Sequence, residues 1–149
     1  LAGQHVPYMI KQLEDMQAGR RQNPLMAPVA ASLSATDMER LAVYYNARTR
    51  SSTETDPELA AAGAALYRDG NPETDIPACM GCHGEDGRGN ADYGYPYIGG
   101  QHAPYTVNQL EAFRSGTRDN DKNSLMKNIA TKMTDAEMEA VAAYIQSLR

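Results

Sequence analysis

Apolar residues recur at helical spacing along most of this chain. Ile10, Leu13 and Met16 fall on one helix face, and so do Val107, Leu110 and Phe113. Pro7 and Pro104 suit the first turns of the helices that carry these stripes, and Gly19 and Gly116 suit their ends. Met38, Leu41 and Tyr45 form a third stripe, and Met138, Val141, Ile145 and Leu148 a fourth. Each is introduced by residues with capping-box spacing, Ser34 to Asp37 and Thr134 to Glu137. Loops lead from Gly19 and Gly116 to Leu25-Met26 and Leu125-Met126, the latter opening a short helix through Lys132. A further Ala-rich helix is predicted from Pro57 to Tyr67, with Leu59, Ala62, Gly63 and Leu66 on one side. Asp69-Gly70-Asn71-Pro72 ends it.

These elements form an internal repeat. Leu1-Ala-Gly-Gln-His5 matches Ile98-Gly-Gly-Gln-His102. Pro7-Tyr8 matches Pro104-Tyr105, and Gln12-Leu13-Glu14 matches Gln109-Leu110-Glu111. After a three-residue insertion in the second copy, Leu25-Met26 matches Leu125-Met126, Met38 matches Met138, and Tyr44 matches Tyr144. Residues 1–46 therefore read as the back part of one domain, 47–56 as an Arg-, Ser- and Thr-rich linker, and 57–149 as a complete second domain. Only the second copy has a front part. A 46-residue remnant would leave its stripes bare and would not fold alone, so the intact protein is expected to begin about forty residues earlier, with another copy of the segment described next.

Between the Ala-rich helix and the second repeat lies Cys79-Met80-Gly81-Cys82-His83, a C-x-x-C-H pattern that holds both cysteines of the chain. Two thiols three positions apart can add to the two vinyl groups of one haem, and the next histidine then falls beneath the iron. A thioredoxin-like dithiol would want a helix after it, where a Gly-rich loop follows. A zinc site would need two more ligands, with only His5 and His102 as soft candidates. A disulfide would leave His83 unexplained.

Composition agrees with a buried cofactor. Of 149 residues 42% are hydrophobic, with no Trp and a single Phe, which is thin for a self-sufficient core. Residues 1–50 carry six basic and four acidic groups, the remainder eight and fifteen, so the net charge of −5 is uneven. Such a dipole can orient the molecule toward a charged redox partner, or simply reflect two solvated surfaces. No basic cluster points to nucleic acid and no apolar run is long enough for a membrane span. No stretch reads as a signal peptide, yet haem c is assembled outside the cytoplasm, so a processed periplasmic protein is implied. No acid–base or nucleophile constellation appears, so no catalytic residue is assigned.

A sixth iron ligand is sought among eight methionines. Met80 lies inside the attachment loop. Met138, Met9 and Met16 lie on core stripes. Met126, on a loop long enough to cross the far face of the ring, is preferred, with Met133 as the alternative. Met26 is its counterpart in the first repeat, for an iron anchored by residues outside this sequence.

The G-Q-H, P-Y and Q-L blocks, the Leu-Met block and the last helix ending in Ala-Tyr resemble the dihaem cytochrome c4 family, over nearly the whole chain. The resemblance implies an all-α protein of two tandem class I cytochrome c domains facing each other across a pseudo-twofold axis. It further implies that the Pro96 carbonyl accepts the ring N–H of His83, and that Gly63 and Tyr144 form the crossing pair of the first and last helices. Simple tolerance of glycine in an Ala-rich helix is the plainer reading of Gly63. Tyr95, Tyr97, Tyr105 and Arg114 line the haem edge or bind propionates, or belong to surface or core. His5 and His102 fit structural bonds near the domain interface better than ligation. The function implied is one-electron transfer between a membrane oxidation complex and a terminal oxidase or reductase, with peripheral membrane association open. A cytochrome subunit of a larger dehydrogenase and a dihaem peroxidase-like enzyme are the alternatives.

Overall fold

The computed structural model describes residues 1–51 and 54–148, with helices α1 (Val6–Gln17), α2 (Ala27–Ala31), α3 (Ala35–Asn46), α4 (Pro57–Asp69), α5 (Met80–His83), α6 (Ala103–Ser115), α7 (Leu125–Ala130) and α8 (Asp135–Ser147). A 3-10 turn, Lys122–Ser124, precedes α7. Helix starts follow local chemistry. Pro7, Pro57 and Pro104 sit in first turns, where a missing N–H costs nothing. Both capping boxes form. The Ser34 and Thr134 hydroxyls accept from the N–H groups of Asp37 and Glu137, whose carboxylates reach back to the cap residues. Residues 52 and 53, within the segment expected to be a linker, lie outside the described residues, and the Asp56 carboxylate caps α4.

One core dominates. α4 packs along α8, α6 and α7 complete the surround, and Leu66, Tyr67, Leu110, Phe113, Met133, Met138, Val141 and Ile145 are buried within it. Met133 and Met138 are thus packing residues. The fully buried Tyr67 ring lies 5.2 Å from that of Tyr144, and its hydroxyl donates to the Gly84 carbonyl at 2.7 Å. Burial pushes the Tyr67 hydroxyl far above its usual range, so it stays protonated. α4 and α8 approach closely at Gly63. A methyl there would lie 2.0 Å from the Ala140 carbonyl oxygen, so glycine admits the α8 backbone itself, one turn before Tyr144.

The first repeat leaves much of its apolar surface uncovered, as its sequence leads one to expect. Met16, Met38 and Ala42 are buried, but Ile10 and Leu13 are only half-buried, and Leu41 and Tyr44 are exposed. In the second repeat α4 covers the positions matching Leu41 and Tyr44, namely Val141 and Tyr144. The best-buried face of α1, Met9, Gln12, Asp15 and Met16, is turned elsewhere.

That face meets the second repeat in an exchange of like residues. Arg21 and Arg118 pair antiparallel through their backbones. Arg21 donates to Gln12 in its own repeat at 2.8 Å and to Tyr105 and Gln109 in the other, both at 2.9 Å. Arg118 donates to Gln109 in its own repeat at 2.7 Å and to Tyr8 and Gln12 in the other at 3.0 and 3.3 Å. Both arginines are buried, so each carbonyl and hydroxyl they reach offsets the loss of water around a charge.

Candidate haem site

Cys79, Cys82 and His83 are brought together by one turn of helix. Cys79 precedes α5, the His83 N–H donates to the Cys79 carbonyl at 3.0 Å, and Gly84 ends the turn at φ 79°. Neither cysteine is in a disulfide. Burial pushes the Cys79 thiol up to about 11, so it is held as the neutral thiol.

His83 is buried, with 8% of its surface exposed, and its Nδ1 lies 3.1 Å from the Pro96 carbonyl oxygen. A carbonyl only accepts, so Nδ1 carries the proton and Nε2 is left with its lone pair. Burial lowers the pKa of the imidazole, against the opposing effect of the Pro96 bond, which keeps it neutral. A neutral, buried, oriented imidazole is the form that ligates a metal. Among the described residues no three His, Cys, Asp or Glu side chains are grouped so as to hold a metal ion.

The loop that presents Pro96 is crowded. Gly89, at φ 70°, donates its N–H to the His83 carbonyl at 2.7 Å, and a methyl on it would lie 2.4 Å from the Pro96 oxygen. Any side chain there would push on the atom that orients His83. The ring of Tyr95 lies 6.5 Å from the imidazole and stacks on the exposed Tyr93 at 6.1 Å.

Tyr97 is held by the first repeat and by the segment that follows it. Its N–H donates to the Gln4 side-chain oxygen and its carbonyl accepts from the Gln4 amide, each at 2.9 Å. Arg50 donates to the same carbonyl at 2.8 Å, to Ala2 at 2.7 Å and to the Gly99 carbonyl, and its guanidinium lies 3.7 Å over the Tyr97 ring. His5 donates from Nε2 to the Arg88 carbonyl at 2.8 Å, a structural bond between repeats; His102 is exposed. Tyr105 is occupied by Arg21. Arg114 pairs with Asp135 at 2.6 Å and donates to the Met133 carbonyl at 3.2 Å.

Met126 is half-buried and packs against the core, as do Cys79, Met80, Ile98 and Ile129. Its N–H donates to the Asp121 carboxylate at 2.7 Å, and the two residues before Leu125, Asn123 and Ser124, are held in left-handed backbone at φ 59° and 52°. Met26, also half-buried, is presented similarly: Asn23 accepts from its N–H at 3.1 Å. A tautomer-fixed imidazole, two free thiols on the same turn and a half-buried thioether packed against the same core fit a covalently attached haem.

Fold and site together define a c-type cytochrome, and residues 60–149 match the family model described as cytochrome c. The chain is 45% identical over 149 residues to the cytochrome c4 of Thiocapsa roseopersicina, covering 99% of this chain and 77% of that protein. It superposes with a TM-score of 0.95 on the reduced recombinant cytochrome c4 from Pseudomonas stutzeri, at 39% identity, covering 99% and 83% of the two chains. It is also 41% identical over 151 residues to a protein named thiosulfate dehydrogenase electron acceptor from Stutzerimonas stutzeri, covering 99% of this chain and 69% of that one. This chain belongs to the cytochrome c4 family. It is therefore a haem-bearing electron carrier, and the peroxidase-like alternative falls away. No described helix is long and apolar enough to cross a membrane.

Proposed function

We propose that this chain carries single electrons in the periplasm, through a haem bonded to Cys79 and Cys82 with His83 Nε2 and the Met126 sulfur as axial ligands. The observation that carries the reading is the buried imidazole whose Nδ1–H is committed to Pro96, which leaves Nε2 free as a base. Met126 supports it, since Asp121 and the left-handed pair at 123–124 fix the backbone just before it. A haem with nitrogen and thioether ligands passes one electron with no change in coordination number. The chain's own part is to hold both ligands rigidly and to keep water from the imidazole. Assembly of covalent haem outside the cytoplasm supports the periplasmic location.

Met26 is assigned as the axial ligand of a second haem in the intact protein, within a first domain whose back part is residues 1–46, followed by linker 47–56 and second domain 57–149. The parallel presentation of Met26 and Met126, and the bare Leu41 and Tyr44 where α4 covers Val141 and Tyr144, support this. The partners are redox proteins or membrane respiratory complexes. A donor of dehydrogenase type is favoured by the likeness to the thiosulfate dehydrogenase electron acceptor.

Haem content and intact mass of the purified protein test the assignment. Two haems that stay with the denatured polypeptide are expected, and the Cys79→Ala/Cys82→Ala double variant should lose one of them. Retention of both haems in that variant would show that these thiols hold neither. A single haem in the intact protein would remove the role given to Met26.

A further inference from the structure

The first repeat reaches the proposed iron ligand of the second through one peptide group. Pro96 C=O and Tyr97 N–H are the two ends of the same amide. His83 Nδ1–H donates to its oxygen at 3.1 Å, and its N–H donates to Gln4 Oε1 at 2.9 Å. Gln4 is buried, with 7% exposed, and its amide nitrogen closes a second bond to the Tyr97 carbonyl. Gln4 thus pairs with Tyr97 as a neighbouring strand would. Its own backbone is fixed from the first repeat, where Asn46 donates to its carbonyl at 2.8 Å.

We propose that Gln4 is a positioning residue for His83, acting through the Pro96–Tyr97 peptide, so that the first repeat sets the electron affinity of the haem held by the second. Hydrogen bonds in series polarise one another. An acceptor at the amide N–H shifts electron density onto the amide oxygen, which then draws more strongly on the His83 Nδ1 proton. The imidazole gains anionic character, becomes a stronger donor and favours the oxidised iron. Removing the acceptor reverses each step and raises the reduction potential. The inference rests on His83 as iron ligand.

The test uses the haem-loaded, full-length protein and two variants that pull in opposite directions. Gln4→Leu removes the acceptor and should raise the potential of the haem at Cys79 and Cys82, by up to about tenfold in the reduction equilibrium, or about 59 mV for one electron. In the reduced, diamagnetic protein the His83 Nδ1–H resonance should move upfield, and the Tyr97 N–H should exchange faster with solvent. Gln4→Glu supplies a stronger acceptor to the Tyr97 N–H while giving up the donor to the Tyr97 carbonyl, which Arg50 still serves, and should lower the potential and move the same resonance downfield. Gln12→Leu removes a bond to Arg21 within the first repeat and inter-repeat bonds to Arg118 and Asn120 without touching Tyr97, and should leave potential and resonance in place. A general loosening of the interface would move all three variants alike, and that result overturns the proposal. So does an unmoved Nδ1–H resonance in either folded Gln4 variant. Should the leucine variant not fold, the glutamate variant decides by the same resonance. A parent protein whose spectrum lacks histidine ligation fails the underlying assignment instead, and is distinguished before any variant is made.

Discussion

Replacing Gly63 by alanine should destabilise the protein by about 2 kcal/mol, opposite to the effect of helix propensity. A methyl carbon at this position would lie 2.0 Å from the Ala140 oxygen, 2.3 Å from its carbonyl carbon and 2.7 Å from the Val141 nitrogen. Ordinary contact begins at 3.4 Å, so α4 and α8 would have to separate by about 1.4 Å. The atoms in the way are helix backbone, with no flexible side chain to swing aside. A gap of about 0.5–1 Å already forfeits a quarter to a half of the dispersion attraction across it. Leu66 and Tyr67 on α4, and Val141 and Tyr144 on α8, are the buried side chains that would lose contact. Overpacking costs about 1–3 kcal/mol, and a clash between two backbones belongs at the upper end. Alanine recovers about 1 kcal/mol of helix propensity, leaving a loss of about 2. At about 2–4 °C per kcal/mol for a chain of this size, Tm should fall by about 4–8 °C. Thermal unfolding of the haem-loaded protein, followed by circular dichroism, measures it. A Gly63→Ala protein as stable as the parent would refute the close-crossing argument and return Gly63 to simple tolerance.

Other outcomes follow from the same geometry. Thr134→Ala removes the cap of α8 and should cost about 1 kcal/mol, read as a lower denaturant midpoint. Gly89→Ala presses on the Pro96 oxygen and should raise the reduction potential while leaving the haem attached. Asp15 is buried, which would push its carboxyl up. Bonds from Lys11, Asn120 and Arg20 outweigh that and hold it below the ordinary range. A lowered folded pKa means that its contribution is complete above the unfolded value of about 3.9 and is lost as pH falls through the lower folded one. Tm should therefore drop between pH 5 and pH 3 (both about) more steeply in the parent than in Asp15→Asn; equal slopes would contradict the assignment.

Features coded within a few residues were legible in the sequence. The two capping boxes and the prolines of the first turns depend on neighbours in the chain, and the structure shows them as read; it also brings Cys79, Cys82 and His83 onto one turn. The Pro96 bond was reached through resemblance, since no periodicity links residues 83 and 96. Leu41 is exposed, as expected of a stripe with no covering helix in the sequence, although spacing alone marks a face as apolar without showing what covers it. Gln4 and Tyr97 lie 93 positions apart, and nothing local joins them. The Arg21–Arg118 exchange had left one usable trace. Gln12 aligns with Gln109 and Tyr8 with Tyr105, and polar residues matched within otherwise apolar helices point to a shared surface. Folding places each matched set against its copy, and only there does the identity of the partners acquire a physical reason.

The central claim is that Met126 completes the coordination begun by His83. The oxidised parent protein should display the weak sulfur-to-iron charge-transfer band, and Met126→Ala should abolish its second-domain share while Met133→Ala, within the core, leaves it intact. An undiminished band in a folded, haem-loaded Met126→Ala protein would contradict the account and place the ligand elsewhere.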